Sequence, residues 1–372
     1  MQLRWLIWWW LPGAALQAAV LPEERADALY HRYEGGGMVI DGPSILVRKN
    51  FAERVSLSAN HYADRVSAAS IDVVTTASPY EEEREEYSVG ADYLAGKAIY
   101  SLKWTRSDEN DYSARSVSVG ASQDFFGDLT TLSMGYARGN DEVRRRGDPL
   151  FAEDVVRQQY RIGITQVMTR NLLLALSHEF VTDEGYLNNP YRSVRYETGG
   201  SYAFQPEVYP RTRSSEATAL RGSYYLPWQA GLHLEHRRYS DSWGVASQDG
   251  SLVLVQPWRD DWEFEVRLRH YRQNAADFYS DLFPFQNAQN FLARDKELST
   301  FTSTSFGVAA GYTFLRGRWR HADRFMVRVA LDHYQFDYDD FRDLRVTTAV
   351  PGEEPLYDFS ALVSQLLVSV WY

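Results

Sequence analysis

The chain has 372 residues, a formal net charge of −11 from 39 Lys and Arg against 50 Asp and Glu, and no cysteine. A disulfide framework, a thiolate metal site and a cysteine nucleophile are excluded, and nucleic acid is an unsuitable partner because a polyanion requires a basic footprint. Mean hydropathy is −0.43 and no segment beyond the N-terminal region is apolar enough for a membrane helix, a test that transmembrane strands escape because only alternate residues face lipid.

At the N-terminus, Arg4 opens a short positive region, the apolar run from Trp5 to Leu16 is broken by Pro12 and Gly13, and Ala18 and Ala19 form a small-residue exit. This is the pattern of a secretory signal peptide, and the run is shorter than the roughly 20 apolar residues of a spanning helix. Residues 1–19 are read as a cleaved signal peptide and residues 20–372 as one exported barrel domain. Leu16 or Gln17 departs from the small residue usual at the third position before the cut.

From there the chain alternates. Asp27 to Glu34 supplies a first strand, turning at Gly35, Gly36 and Gly37 into a second that begins at Met38. Tyr100, Leu102 and Trp104 alternate with Ser101, Lys103 and Thr105, and Tyr160, Ile162 and Ile164 with Arg161, Gly163 and Thr165. Leu232 and Leu234 alternate with His233, Glu235 and Arg237. The clearest run follows, with Trp262, Phe264, Val266 and Leu268 on one face and Glu263, Glu265, Arg267 and Arg269 on the other. Phe325, Val327, Val329 and Leu331 repeat it against Arg328 and Asp332. Finally Leu362, Leu366, Val368, Val370 and Tyr372 alternate with Val363, Gln365, Leu367, Ser369 and Trp371, as in a strand that closes a barrel. Period two fits these runs and helical spacing does not.

Tight links are predicted at 49–53, 94–97, 125–127, 169–171, 227–229 and 259–261, with a slightly longer one at 315–323. Polar or aromatic segments at 65–84, 140–154, 183–216, 274–298 and 337–356, and two short ones near Asn110 and Ser242, lie between them. Outer-membrane barrels keep short turns in the periplasm and long loops outside. The fold class is therefore all-β: a transmembrane antiparallel β-barrel of about sixteen strands, an even number as such barrels require.

Four stretches, Ala69 to Tyr80, Gln123 to Thr130, Asn188 to Tyr196 and Ala293 to Leu298, resemble a family of bacterial outer-membrane proteins catalogued as domain of unknown function 3570. The resemblance covers essentially the whole exported chain. It implies an outer-membrane barrel and carries no assigned activity or catalytic residues. It also implies a role beside an exported redox or flavinylation system, with a small lipoprotein or a periplasmic redox protein as partner.

Read from the residues, no catalytic, cofactor or metal constellation emerges. Ser177 and His178 are adjacent and so point to opposite faces of a strand, and no Gly-framed nucleophile or metal-binding His–Glu pattern appears. His61, His178, His236, His270 and His333 each fall near the end of an up-going strand among the lipid-facing positions, forming a belt. They either contact phosphates of lipopolysaccharide, more strongly when protonated, or are tolerated at the interface. The acidic segment from Glu81 to Glu86 is read as a loop edge, either solvated or attracting divalent cations.

Pore-lining candidates are Arg161, Glu179, Glu235, Arg237, Glu263, Glu265, Arg267, Arg269, Arg328 and Asp332. These charges either create a transverse field in an open channel or brace a closed lumen. The longest loop, 183–216, is too aromatic and proline-bearing for disorder and is predicted to plug the mouth, with Tyr191, Arg192, Arg195 and Tyr196 at the constriction, an external partner-binding surface being the alternative. In the plugging pose its arginines would meet Glu179 and Glu235. The leading reading is a channel or transport component with loop-controlled access. A docking barrel and a barrel-embedded hydrolase are the alternatives, and the partners expected of any outer-membrane barrel are membrane lipid, lipopolysaccharide and the assembly machinery.

Overall fold

The computed structural model describes residues 19–67, 81–314, 322–347 and 349–372. Its first nine strands are β1 (Arg25–Gly35), β2 (Met38–Phe51), β3 (Val55–Ser67), β4 (Glu81–Ala95), β5 (Ala98–Asp108), β6 (Tyr112–Phe125), β7 (Thr130–Arg145), β8 (Asp148–Val167) and β9 (Leu172–Gly185). A hairpin of β10 (Ser193–Thr198) and β11 (Ser201–Pro206) follows. The remainder are β12 (Thr212–Tyr225), β13 (Gly231–Asp241), β14 (Ala246–Trp258), β15 (Trp262–Gln273), β16 (Phe301–Phe314), β17 (Arg324–Arg342) and β18 (Leu356–Trp371). Sixteen strands close an antiparallel barrel, and β10 and β11 stand apart from it in the connection between β9 and β12.

Closure runs through β1 and β18, in register from Arg25↔Trp371 to Gly35↔Ala361. Tyr372 continues the seam, donating from its hydroxyl to the Arg48 carbonyl at 3.0 Å while Lys49 lies over its ring. A closed sheet leaves no unpaired edge, which is the condition for strands to survive in hydrocarbon. Alternation supplies the second condition. On β15, Phe264, Val266 and Leu268 are exposed on the outer wall, and Glu265 and Arg267 point into the lumen. Aromatic rings gather at the turn end of that wall, where Trp262 stacks with Phe264 and meets Tyr312 at 4.8 Å.

Short links occupy the end where β1 starts and β18 finishes. Several use left-handed backbone, at Ala52 and Glu53 (φ 50° and 56°) and around Gly127 (φ 68°). At the loop end, Gly36 and Gly37 (φ 60° and 81°) form the two-residue turn expected there, since positive φ at both positions favours glycine.

Two segments differ from expectation. The predicted loop 140–154 is mostly a continuation of the β7–β8 hairpin, paired out to Arg145↔Asp148. The acidic segment Glu81 to Glu86 is the start of β4, paired with β3, rather than a loop; its alternation turns Arg84 and Glu86 inward as an ion pair at 2.7 Å. The strands thus run past the apolar band, because cross-strand pairing continues wherever a partner strand continues. Residues 1–18 and most of the links 65–84 and 315–323 lie outside the described residues.

Candidate functional site

Strand alternation brings lumen charges into contact across neighbouring strands, and nearly all the predicted pore-lining residues join pairs. Arg267 of β15 grips Asp332 of β17 with two hydrogen bonds, 3.0 and 2.8 Å, across the intervening β16. It also reaches Glu265 at 2.7 Å, and Glu265 receives Arg328 at 2.5 Å. Gly307 of β16 makes room for this cluster: a Cβ there would lie 1.9 Å from an Asp332 oxygen. Farther round the wall, Arg161 meets Glu179 at 2.5 Å, Arg221 meets Glu235, and Arg269 meets Asp249 at 3.3 Å. Arg237 lies near Glu179 on the same wall. Glu263 is exposed to the lumen and has no cationic partner among the described residues.

The inner surface from β16 round through β18 and β1 to β3 carries features that charge patterning did not reveal. His31 Nε2 lies 2.7 Å from Asp64, and the Tyr62 hydroxyl donates to the same carboxylate at 2.7 Å, a buried polar knot on β1 and β3. Next to it an aromatic patch lines the inner surface of β16–β18: Phe336 stacks on Phe359 at 4.6 Å, Tyr334 on Phe336, and Tyr338 meets Phe301 at 5.2 Å. The sequence signal for that patch was present as aromatics at every second position from Tyr334 to Tyr338 and from Tyr357 to Phe359. Inward aromatics resemble outward ones until strand facing is known.

Loops from three connections, 186–211, 274–300 and 343–355, fold together into a cap. Their footing is on lumen-facing side chains. Gln273 Nε2 donates to the Glu297 and Ser299 carbonyls at 2.9 and 2.7 Å, and the Tyr279 hydroxyl reaches the Asp340 carbonyl. Tyr239, another inward residue, packs on an apolar core that includes Tyr209, Trp243 and Phe278. The β10–β11 hairpin turns at Gly199 and Gly200, both with positive φ, and bonds to the second loop through Glu197 N–H to the Phe283 carbonyl and Phe283 N–H to the Arg195 carbonyl, each 2.9 Å.

The cap is locked by buried charge. Arg195 is fully buried and pairs with Asp281 of the second loop and Glu354 of the third, the latter at 2.5 Å. Asp281 also receives Arg294 at 2.8 Å, and the Arg294 guanidinium lies over the Phe341 ring. Burial pushes the Glu354 carboxyl up, but the Arg195 hydrogen bond, with the backbone amides and the arginine charge, outweighs it and holds the group below the usual carboxylate range.

The predicted constriction residues sit in the cap, and the arginines among them have partners other than those expected. Arg192 pairs with Asp295 and Arg195 with Asp281 and Glu354, so neither meets Glu179 or Glu235, whose partners come from barrel strands. The reason is proximity: three loops fold on one another, and the nearest carboxylates belong to the neighbouring loops. Tyr191 accepts from Arg146 N–H at 2.7 Å, and Tyr196 packs with Val194, Phe283 and Leu292.

The five belt histidines all occupy outward positions. His61 stacks on Tyr87, His178 and His270 place Nδ1 3.0 Å from Thr218 and Thr304, His236 lies beside Arg238, and His333 is in register with Phe306 and Leu362. No group of three or more His, Asp or Glu side chains converges as a metal site among the described residues.

Among solved structures, a bacterial polysaccharide outer membrane secretin superposes with TM-score 0.51 at 8% identity, covering 95% of this chain and 100% of the other. The CymD monoaromatic hydrocarbon channel (TM-score 0.44, 9% identity, 95% and 89% covered) and OmpT, an outer membrane protein of Vibrio cholerae (0.44, 7%, 95% and 100%), are looser likenesses. No curated protein matches the sequence. The model of the family described as Protein of unknown function (DUF3570) matches residues 70–162 and 152–340, most of the barrel, and the chain belongs to that family.

Proposed function

We propose that this outer-membrane-type barrel is a channel or transport component whose access is governed by the three-loop cap. The observation that carries the reading is the cap itself: loops anchored on inward-facing side chains and joined through Arg195, Asp281 and Glu354. Long loops with their own packed core are usually functional. Below the cap, Glu263, Lys103 and the half-exposed Arg161 and Arg221 offer solvated charges of both signs. That lining suits hydrophilic solutes, and the role is that of a conduit rather than of an enzyme. In this reading residues 1–19 direct export, the short turns face the periplasm and the cap faces outward.

Planar-bilayer recording tests the proposal. Replacing residues 187–210 by a short Gly/Ser linker removes Arg195 and the hairpin while leaving the rims of β9 and β12. Single-channel conductance is expected to rise in protein that still migrates as a folded barrel before boiling. Unchanged conductance in such protein would reject loop control.

A further inference from the structure

On the outer wall, β13, β14 and β15 stack three rows of outward side chains. Register aligns Leu234, Leu252 and Leu268 in one row, His236, Gly250 and His270 in the next, and Arg238, Gln248 and Arg272 in the third, toward the loop end. Gly250 removes a side chain from the middle row, and a Cβ built there would meet nothing closer than 3.9 Å. With Gly222 on β12 it opens an apolar groove of about 570 Å³ in the wall, floored by the leucines and flanked by His236 and His270. Adjacent strands lie about 4.8 Å apart, so the two imidazoles face each other across roughly 10 Å.

The top of the groove is cationic without being neutralised. Arg238 makes a 3.4 Å contact to His236, and the Gln248 amide oxygen accepts from Arg272. Both arginines are exposed, and neither meets a carboxylate among the described residues. The lumen-facing arginines of the same strands, Arg267 and Arg269, are by contrast each paired.

We propose that this groove is a binding site for a phosphorylated glycolipid of the outer leaflet. An acyl chain lies over Gly250 against Leu234, Leu252 and Leu268, and the phosphate is held by Arg238 and Arg272 with His236 and His270 at its flanks. Guanidinium groups suit phosphate because they donate two parallel hydrogen bonds. The apolar floor faces hydrocarbon and the arginines stand two rows above the leucines, beyond the histidine row, the order in which a lipid presents its chain and headgroup. The site therefore gathers two members of the histidine belt into one place.

The test is native mass spectrometry of the full-length barrel titrated with diphosphorylated lipid A. Arg238→Gln with Arg272→Gln should weaken retention about tenfold or more, the scale of losing charge-assisted bonds, and Gly250→Leu should weaken it with the charges intact. Because the two arginines are exposed, their variant keeps the question answerable even if Gly250→Leu fails to assemble. Dephosphorylated lipid A should bind the parent protein as weakly as diphosphorylated lipid A binds the double variant. Equal retention by parent and double variant would overturn the proposal. So would an equal loss in Arg106→Gln with Arg115→Gln, outward residues of β5 and β6, or full competition by equimolar inorganic phosphate, which would assign the arginines to a free anion. Copies of the chain, rather than lipid, lost on Gly250→Leu would reassign the groove to a protein interface.

Discussion

Arg195 shows how much one side chain can hold when it is buried among loops. Its guanidinium serves Asp281 and Glu354 from two different connections, so its removal strips the buried Glu354 of its cation and leaves Asp281 with Arg294 alone. Breaking a buried pair in this way costs about 3–5 kcal/mol. Arg195→Ala should therefore open the cap to protease at residues 186–211, while the barrel keeps its shifted gel mobility before boiling; an intact cap would show that the apolar core suffices. Acid should act on the same contact. Glu354 sits below its ordinary value of 4.5 in the folded cap, so its contribution is complete above that value and is lost as pH falls through the lowered one. Cap opening, read as rising conductance or proteolysis, is expected as pH drops below about 4.5, and Glu354→Gln should blunt that response.

In the strands, facing decides chemistry. β15 carries Glu265 and Arg267 toward water and Phe264 and Val266 toward lipid, one residue apart, because successive side chains leave opposite faces. Cysteines introduced singly at Lys103, Glu263 and Arg161 should react with small water-soluble thiol reagents, and those at Phe264, Val266 and Val329 should be shielded in vesicles. The absence of native cysteine makes the labelling unambiguous, and equal labelling of the two sets would place the register wrongly. On β16, Gly307 is required by its neighbours rather than by its own backbone. Gly307→Val would force Asp332 out of its paired contact with Arg267, and a destabilisation of about 3–5 kcal/mol is expected in urea unfolding from lipid vesicles.

Closure is a property of the whole molecule, since a barrel has no stable edge until β18 meets β1. Trp371 stands opposite Arg25 at that seam with the Arg324 guanidinium 4.2 Å from its ring centre, and Tyr372 reaches across to β2. Removing Trp371 and Tyr372 should lower the yield of membrane-inserted barrel several-fold, measured by the heat-dependent gel shift. Normal insertion of the truncated chain would mean that the eleven-pair register between β1 and β18 closes the sheet unaided.

The strand number and facing were legible because membrane strands need only alternation and turn residues, both local. From Asp27 to Tyr372 the pattern led to sixteen barrel strands, and the structure has them. Local pattern also brought out the outward positions of His236 and His270. It did not reveal that Gly250 lies between them, because that adjacency depends on the register of three strands. The same limit explains the loops. The aromatic and proline content of 183–216 pointed to an ordered segment, yet the partners of Arg195 stand 86 and 159 residues away in sequence. Which carboxylates an arginine meets is settled by how separate loops pack over the mouth, and no spacing along one chain records that.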